Sequence, residues 1–160
     1  MSTAINQGVF SSNKQDWATP QSFVDLVSAH FRIPFDIDVC AEALTTKCPI
    51  YFDKTQNALS LPWNGNCWMN PPYGSELPTW LEYAYEQSQT TGATVVCLVP
   101  ARTDTRWFHE YACKGSIVFL EGRIPFEQQG KIQGSPAFPS MLVFYNYTPT
   151  LPPFSTWKWK

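Results

Sequence analysis

Several features that would assign this chain to a particular class of protein are missing from its sequence. Its 160 residues contain no run of about 18 apolar residues, and no charged segment followed by an apolar one opens the chain. We therefore expect neither a membrane span nor a secretory signal. The five cysteines are odd in number and form no CxxC pair, which predicts buried free thiols. Together these absences predict a protein of the reducing cytoplasm.

Histidine and positive charge are also scarce. Only His30 and His109 occur, far apart and without a cysteine at ligand spacing, so we predict no metal site. Lysine and arginine together number 11 against 13 acidic residues, which gives a formal net charge of −2. Any binding of nucleic acid must therefore depend on a local basic patch rather than on the field of the whole protein.

Aromatic residues, by contrast, are abundant. Apolar residues make up 44% of the chain, which is enough for one globular domain with a sizeable core. Seven Trp, seven Tyr and eleven Phe exceed the needs of a core of this size. Some of these rings could therefore line a groove or the interface of a homodimer.

The hydrophobic pattern predicts a single α/β domain over residues 16–147, between a poorly ordered arm at 1–15 and an irregular Pro/Trp-rich tail at 148–160. Helices are predicted from Pro20 to near Arg32, at about 77–89 and at about 105–113. Strands are predicted at 35–39, 50–52, 67–70, 94–99, 116–120 and 140–145. We expect a mostly parallel sheet whose last two strands form an antiparallel pair joined by a polar loop.

The tetrapeptide Asn70-Pro71-Pro72-Tyr73 suits the methylation of a planar amino group. Such an amine is a poor nucleophile because its lone pair is delocalised, and it reacts when two acceptors hold its N–H bonds. The Asn70 side-chain oxygen and the Pro71 carbonyl could be those acceptors. The two prolines restrict the backbone, so the acceptors are held with little entropy left to lose. The Tyr73 ring could stack on a flipped base, which is worth roughly 1 to 3 kcal/mol.

A stiff turn after a strand explains the same four residues without any chemistry. Their position favours the functional interpretation, because ligands of α/β sheets bind beyond the carboxyl ends of strands. Asn70 follows one predicted strand and Asp38 lies near the end of another. We therefore expect these two residues to face one crevice.

Five short blocks occur in an informative order: Trp17-Ala18-Thr19-Pro20, Asp38-Val39-Cys40-Ala41, Asn70-Pro71-Pro72-Tyr73-Gly74, Val99-Pro100-Ala101-Arg102-Thr103 and Gly122-Arg123-Ile124-Pro125-Phe126. In this order they resemble the small phage DNA N6-adenine methyltransferases of the Dam type. The resemblance covers roughly residues 17–145. It implies a Rossmann-like fold that depends on S-adenosyl-L-methionine and methylates the N6 amine of adenine in DNA, as a phage shield against restriction.

The resemblance also implies roles at the cofactor. Trp17, Thr19 and Pro20 match a segment at the methionine end, where Thr19 would bond to the carboxylate, although a helix cap explains Thr19 and Pro20 equally well. Asp38 could accept from the methionine ammonium. Cys40 and Ala41 stand where relatives commonly carry glycines, and small residues there let the backbone approach the cofactor.

Two residues after the second predicted strand complete the expected cofactor site. Asp53 could accept both ribose hydroxyls, as acids do at this position in nucleotide-binding sheets, although a solvated loop aspartate is the alternative. Asn57 stands where related enzymes often carry an aspartate that accepts from the cofactor adenine, and an amide accepts less strongly.

Four basic residues are the candidates for contact with double-stranded DNA: Arg102, Arg106, Arg123 and Lys131. Each could instead be a solvated surface charge. Glutamines in the polar loop at 127–139 could read bases, since glutamine pairs with adenine in the major groove. The chain has no room for a separate recognition domain, so we expect a short target site.

Two other hypotheses stay open at the level of the sequence. Cytosine N4, RNA adenine and protein glutamine also offer a planar amino group. A non-catalytic nucleic-acid binding module would use the same aromatic and basic residues on single strands. The Asn70 to Tyr73 segment counts against this module, because binding alone needs no paired acceptors.

Overall fold

The computed structural model describes residues 17–128, 131–132 and 138–160 of the chain, so the predicted arm at 1–15 lies outside these residues. In chain order, the described strands are β1 (Trp17–Ala18), β2 (Ile37–Asp38), β3 (Ile50–Tyr51), β4 (Asn66–Met69), β5 (Thr94–Pro100), β6 (Ser116–Glu121), β7 (Glu127–Gln128), β8 (Lys131–Ile132), β9 (Ser140–Tyr145) and β10 (Phe154–Lys158). The described helices are α1 (Gln21–Phe31), α2 (Leu77–Thr90) and α3 (Arg106–Glu110).

The central sheet has seven strands in the order β10-β6-β9-β5-β4-β2-β3. Within this sheet β9 is antiparallel to its neighbours β5 and β6, and the other adjacent pairs are parallel. The predicted mostly parallel α/β sheet and its antiparallel pair, β6 with β9, are therefore confirmed. Because β5 and β6 both oppose β9, they run in the same direction. The carboxyl ends of the six parallel strands consequently lie at one edge of the sheet, which we call the carboxyl edge.

Helices cover both faces of this sheet. Along β5, Val96 and Leu98 belong to the buried cluster that contains the apolar side chains of α1. Val95 and Cys97 belong to the cluster that contains the apolar side chains of α2. Successive residues of a strand point to opposite faces, so a strand with a helix on each side is buried throughout. The nearly continuous apolar character of β5 reflects this position.

The predictions of buried free thiols and of no membrane span can be compared with the structure. Cys48, Cys67 and Cys97 are buried free thiols, as predicted, whereas Cys40 is half-buried and Cys113 is exposed. The prediction of a buried thiol is therefore wrong for Cys113. In the described part of the chain, no helix has both the length and the apolar character needed to cross a membrane.

The C-terminal segment is more regular than predicted. The predicted irregular tail at 148–160 is wrong for Phe154–Lys158, which form β10 and pair in parallel with β6 at an edge of the sheet. Trp157 stacks on His30 of α1, with ring centroids 4.6 Å apart, and meets Phe31 edge to face. Aromatic packing against α1 therefore orders this strand in spite of the prolines that precede it.

A second, three-stranded antiparallel sheet has the order β1-β7-β8. In it Ala18 pairs with Glu127, and Trp17 pairs with Gln128. Part of the predicted polar loop at 127–139 is therefore a pair of strands, while Gln129 and Gln133 lie outside the described residues. This small sheet joins the segment before Thr19 to the region that was predicted to read bases.

Candidate functional site

A cleft of about 520 Å³ opens at the carboxyl edge beside β2, β3 and β4. This volume lies within the roughly 300 to 1,000 Å³ that is usual for small-molecule sites. The residues predicted from the sequence that line it are Thr19, Asp38, Cys40, Ala41, Asp53, Asn57, Asn70, Pro71 and Pro72. The expectation that Asp38 and Asn70 face one crevice is therefore confirmed.

Asn70 is held at both ends of its side-chain amide. Its Nδ2 donates to the Thr19 hydroxyl at 2.9 Å, and its Oδ1 accepts from the Tyr73 hydroxyl at 2.7 Å. Thr19 is only 1% exposed, so this bond is shielded from water. A carbonyl oxygen has two lone pairs, and Oδ1 can therefore accept a further hydrogen from a ligand.

Thr19, which precedes α1, does not cap this helix with its side chain, as the helix-cap interpretation requires. Pro20, which is buried, occupies the N-terminal cap position of α1, and its carbonyl accepts from the Phe23 N–H at 3.0 Å. The Thr19 side chain bonds to Asn70 instead of capping the helix. The helix-cap interpretation is therefore wrong for Thr19. Trp17 lies in β1, and Pro20 is not among the residues that line the cleft.

Tyr73 points its hydroxyl inward, towards Asn70 and the Leu98 carbonyl, which lies 3.2 Å away. Its ring meets the rings of Phe126 and Phe138 edge to face, with centroids 6.3 and 5.7 Å apart. Burial raises the pKa of the Tyr73 phenol, so the hydroxyl keeps its proton. The stacking of this ring on a base stays a prediction, and the bond to Asn70 is an additional contact.

Pro71 supplies a backbone acceptor at the same place. The residue is buried, and no described residue donates to its carbonyl oxygen. The Pro71 carbonyl is therefore available to a donor that enters the cleft.

Asp38 is a buried acid, 3% exposed, at the base of the cleft. Its two carboxylate oxygens accept from the backbone N–H groups of Cys40 at 3.2 Å and Lys47 at 3.0 Å. Burial raises its pKa to about 6, and these bonds together with the Lys47 charge oppose the rise. Ionisation of this carboxyl therefore opposes folding, and its contribution to stability falls as pH rises from about 4 to about 6. Acids whose ionised form is destabilised by burial are concentrated in functional sites.

Asp53 and Asn57 lie beyond the end of β3. Oδ1 of Asp53 accepts from the Thr55 hydroxyl at 2.6 Å and from the Thr55 N–H at 3.0 Å. These bonds, the hydroxyl bond first, lower the pKa of Asp53. Asn57 has a φ of 52°, in the left-handed region that asparagine tolerates better than most residues. A carboxylate and an amide four residues apart in the chain thus both line the cleft.

Cys40 and Ala41 carry the small side chains of the turn after β2. The Ala41 N–H donates to the Phe52 carbonyl at 3.0 Å, which holds this turn against the end of β3. Burial, reinforced by the Asp38 charge, raises the pKa of the Cys40 thiol to about 12. The thiol stays neutral and is therefore a poor nucleophile.

The residues that line the cleft without having been predicted from the sequence include Lys47, Phe52 and Trp80. Phe52 directly follows β3, so its place at a strand end was an available signal. Trp80 lies in the first turn of α2, and its ring centroid is 6.3 Å from that of the fully buried Trp63. Helical spacing indicates only that Trp80 faces inward, and the position of Lys47 depends on the fold of its loop.

Two of the arginines predicted to contact DNA stand at the carboxyl edge, outside the cleft. Arg102 follows β5, is exposed, and lies over the ring of Phe138 with its guanidinium carbon 5.7 Å from the centroid. Arg123 follows β6 and is also exposed. These two guanidinium groups therefore stand on the same edge as Asn70.

The other two basic candidates do not follow strands of the central sheet. Arg106 begins α3, and its Nε lies 2.9 Å from Oε1 of Glu110 in an ion pair whose arginine side chain is 90% exposed. Such exposed pairs are worth little and open readily. Lys131 lies in β8 of the small sheet.

The sheet and the cleft first define a class, a Rossmann-like methyltransferase whose Asn-Pro-Pro-Tyr segment suits an amino-group acceptor. A family model of DNA N-6-adenine-methyltransferase (Dam) matches residues 8–154. A DNA N-6-adenine-methyltransferase of Haemophilus phage HP1 (strain HP1c1) is 36% identical over 139 residues, which cover 84% of this chain and 80% of the relative. The chain belongs to the Dam family and is an adenine-specific DNA methyltransferase. A family of this kind implies S-adenosylmethionine as methyl donor.

Proposed function

We propose that this chain binds S-adenosylmethionine in the cleft and methylates the N6 amine of an adenine flipped out of double-stranded DNA. One observation carries the proposal: Asn70 and Pro71, the two candidate acceptors, line the same cleft as the predicted cofactor residues. The methyl group passes directly to the amine, without a covalent enzyme intermediate. The phage relative supports the host cytoplasm as the place of reaction.

The residues of the cleft fit the chemistry of this cofactor. Trp80 offers ring surface to the adenine, and Asn57 an acceptor for its amine. Asp53 accepts from the ribose hydroxyls, Asp38 from the methionine ammonium, and Thr19 donates to the methionine carboxylate. When bound, the sulfonium cofactor supplies an electrophilic methyl group.

The protein's part in the reaction is to make the adenine amine nucleophilic. Oδ1 of Asn70, with one lone pair occupied by Tyr73, accepts one N6 hydrogen, and the Pro71 carbonyl accepts the other. Both acceptors are in place before the substrate enters, so they stabilise the charge that develops on N6 without reorganising. Amide oxygens are too weakly basic to keep the proton that N6 loses, and it passes to solvent.

The substrate side of the proposal uses the carboxyl edge. Arg102, Arg123 and Lys131 contact phosphates, with Arg106 as a further contact once its exposed pair opens. The ring of Tyr73 stacks on the flipped base. A homodimer would bring two such edges to one short site.

The test is the transfer of labelled methyl from S-adenosylmethionine to double-stranded DNA free of adenine methylation, followed by nucleoside analysis. We expect N6-methyladenine, and we expect Asn70→Ala to lower kcat roughly 10³-fold or more. Its affinity for S-adenosylhomocysteine should stay within about threefold, because Asn70 is not among the residues assigned to the cofactor. Asn64→Ala is the matched control, since Asn64 is an exposed asparagine that precedes β4 at the opposite edge.

Undiminished turnover in Asn70→Ala would show that this residue is not an acceptor. Label that appears in RNA or protein and not in duplex DNA would overturn the proposed substrate. A wild-type protein that binds no S-adenosylhomocysteine would overturn the proposed cofactor site.

A further inference from the structure

The Thr19 hydroxyl connects two parts of the site that are 51 positions apart in the sequence. Its oxygen accepts from Nδ2 of Asn70 at 2.9 Å, and Thr19 also lines the cleft. No described residue accepts the hydroxyl proton of Thr19. A buried hydroxyl proton without an acceptor is therefore available to a group bound in the cleft.

The side-chain amide of an asparagine fits the same space in two orientations, because turning it end for end exchanges Oδ1 and Nδ2 with little change in shape. In the reversed orientation Nδ2 of Asn70 would donate to the Tyr73 hydroxyl, which would donate to the Leu98 carbonyl 3.2 Å away. Thr19 would then donate to Oδ1. Since a hydroxyl both donates and accepts, Thr19 and Tyr73 can satisfy either orientation.

Only the observed orientation is chemically useful for the amine. It leaves a lone pair of Oδ1 for an N6 hydrogen, whereas the reversed orientation would set the N–H donors of Asn70 against an amine that also donates. Thr19 has a single hydroxyl proton. Once that proton is donated to an acceptor in the cleft, the Thr19 oxygen can only accept from Nδ2, which selects the useful orientation.

We propose that Thr19 is a positioning residue that couples occupation of the cofactor cleft to the orientation of the Asn70 amide. The proposal rests on the proposed function, because the acceptor is a group of the cofactor such as its carboxylate. Binding commits the Thr19 proton, Nδ2 of Asn70 donates to Thr19, and Tyr73 donates to Oδ1. The catalytic acceptor is then set for the adenine amine when the methyl donor is present.

Two substitutions separate this coupling from simple packing. Thr19→Val keeps the shape of the side chain and removes the hydroxyl, whereas Thr19→Ser keeps the hydroxyl. With saturating cofactor, we expect valine to lower kcat roughly tenfold or more with little change in the KM for DNA, and serine to stay within about threefold of wild type. Thr156→Val on the exposed face of β10 is the matched control.

A second measurement does not depend on turnover. The side-chain amide resonances of Asn70, identified by their loss in Asn70→Ala, are followed by NMR while S-adenosylhomocysteine is added. We expect both protons to shift on binding in wild type and in Thr19→Ser, and to respond much less in Thr19→Val that has bound the ligand. Thr19→Ala removes the same hydroxyl if the valine variant does not fold.

Unchanged kcat in the folded valine or alanine variant would overturn the coupling, even if cofactor affinity fell, because Thr19 would then only bind the cofactor. An Asn70 response that persists without the hydroxyl would overturn it too. These outcomes are distinguishable from failure of the proposed function, which would appear as a wild-type protein that methylates no DNA, while the resonances would still report on the coupling.

Discussion

The two halves of the carboxyl edge differ in how firmly their polar side chains are held. At the ends of β2 and β4, Asp38 is buried and Asn70 is bonded on both sides of its amide, on one side to the buried Thr19 that follows β1. At the ends of β5 and β6, Arg102 and Arg123 are exposed. The half proposed to bind the small cofactor has its polar groups already buried or paired, whereas the half proposed to contact DNA presents exposed side chains.

This difference has a physical reason. A methyl transfer needs its acceptors placed within a fraction of an ångström, and burial with paired hydrogen bonds provides that placement. Burial also lowers the stability of the fold when Asp38 is ionised, as the raised pKa of this carboxyl indicates. The phosphates of DNA are many and exposed, so long flexible side chains can contact them in several ways. Ordering each such side chain costs about 0.5 to 1.5 kcal/mol of conformational entropy.

After Asn70→Ala, the largest effect of a substitution should come from the buried half of the carboxyl edge, at Asp38. Asp38→Asn should weaken binding of S-adenosylhomocysteine roughly 10- to 100-fold, which corresponds to a hydrogen bond with a charged group. In wild type the affinity should fall as pH drops below about 6, because protonation removes the charge that holds an ammonium. Calorimetric titration between pH 5 and pH 7 measures both effects.

Asp38→Asn is the control for the pH dependence of the wild type, because the affinity of this variant for S-adenosylhomocysteine should not change over the same pH range. If wild type is equally flat, Asp38 serves to hold the Cys40 and Lys47 backbone amides and does not bind the ammonium. The buried half would then be more structural and less functional than proposed.

A smaller effect is expected at the boundary of the two halves, where Tyr73 lies between Asn70 and the aromatic pair Phe126 and Phe138. Tyr73→Phe keeps the ring and removes the donor to Oδ1. We expect kcat to fall roughly tenfold and the free energy of unfolding to fall by about 1 kcal/mol, with unchanged cofactor affinity. Steady-state kinetics and urea unfolding measure the two quantities, and full activity in Tyr73→Phe would confine the residue to base stacking.

The smallest effects should come from the exposed half. Arg102→Gln and Arg123→Gln should each weaken duplex binding several-fold for every sequence tested, and should each lower the slope of log K against log salt by about 1. Lys114→Gln is the matched control, because Lys114 is exposed and precedes β6 at the opposite edge. Fluorescence anisotropy over a salt series gives these values, and a slope unchanged from wild type would remove that arginine from the DNA surface.

Much of the regular structure could be predicted because it depends on local patterns. The helix after Pro20 was predicted to end near Arg32, and Arg32 is its C-terminal cap in the left-handed conformation. Strand β5 reads as a buried run because both of its faces are covered. The tail was misjudged because Trp157 and Ser155, half-buried, alternate with exposed neighbours over only five residues, next to prolines that suggest irregular structure.

The candidate site was predictable where it depends on strand ends. Residues that follow parallel strands meet at one edge whatever their distance in sequence, which is why Asp38, Asp53 and Asn70 could be grouped in advance. The partners of those residues were not predictable. Nothing local indicates that the loop bearing Lys47 folds back onto Asp38, or that Trp80 lines the cleft.

The order of its short motifs and the chemistry of Asn-Pro-Pro-Tyr were therefore enough to predict a leading reaction and the sheet edge where it takes place, because motifs and hydrophobic periodicity are properties of neighbouring residues. Tertiary structure alone decided that Thr19 and Tyr73 hold the Asn70 amide from opposite ends. Those bonds depend on strand order and on the packing of segments up to 51 residues apart, which fix atoms to within a few tenths of an ångström.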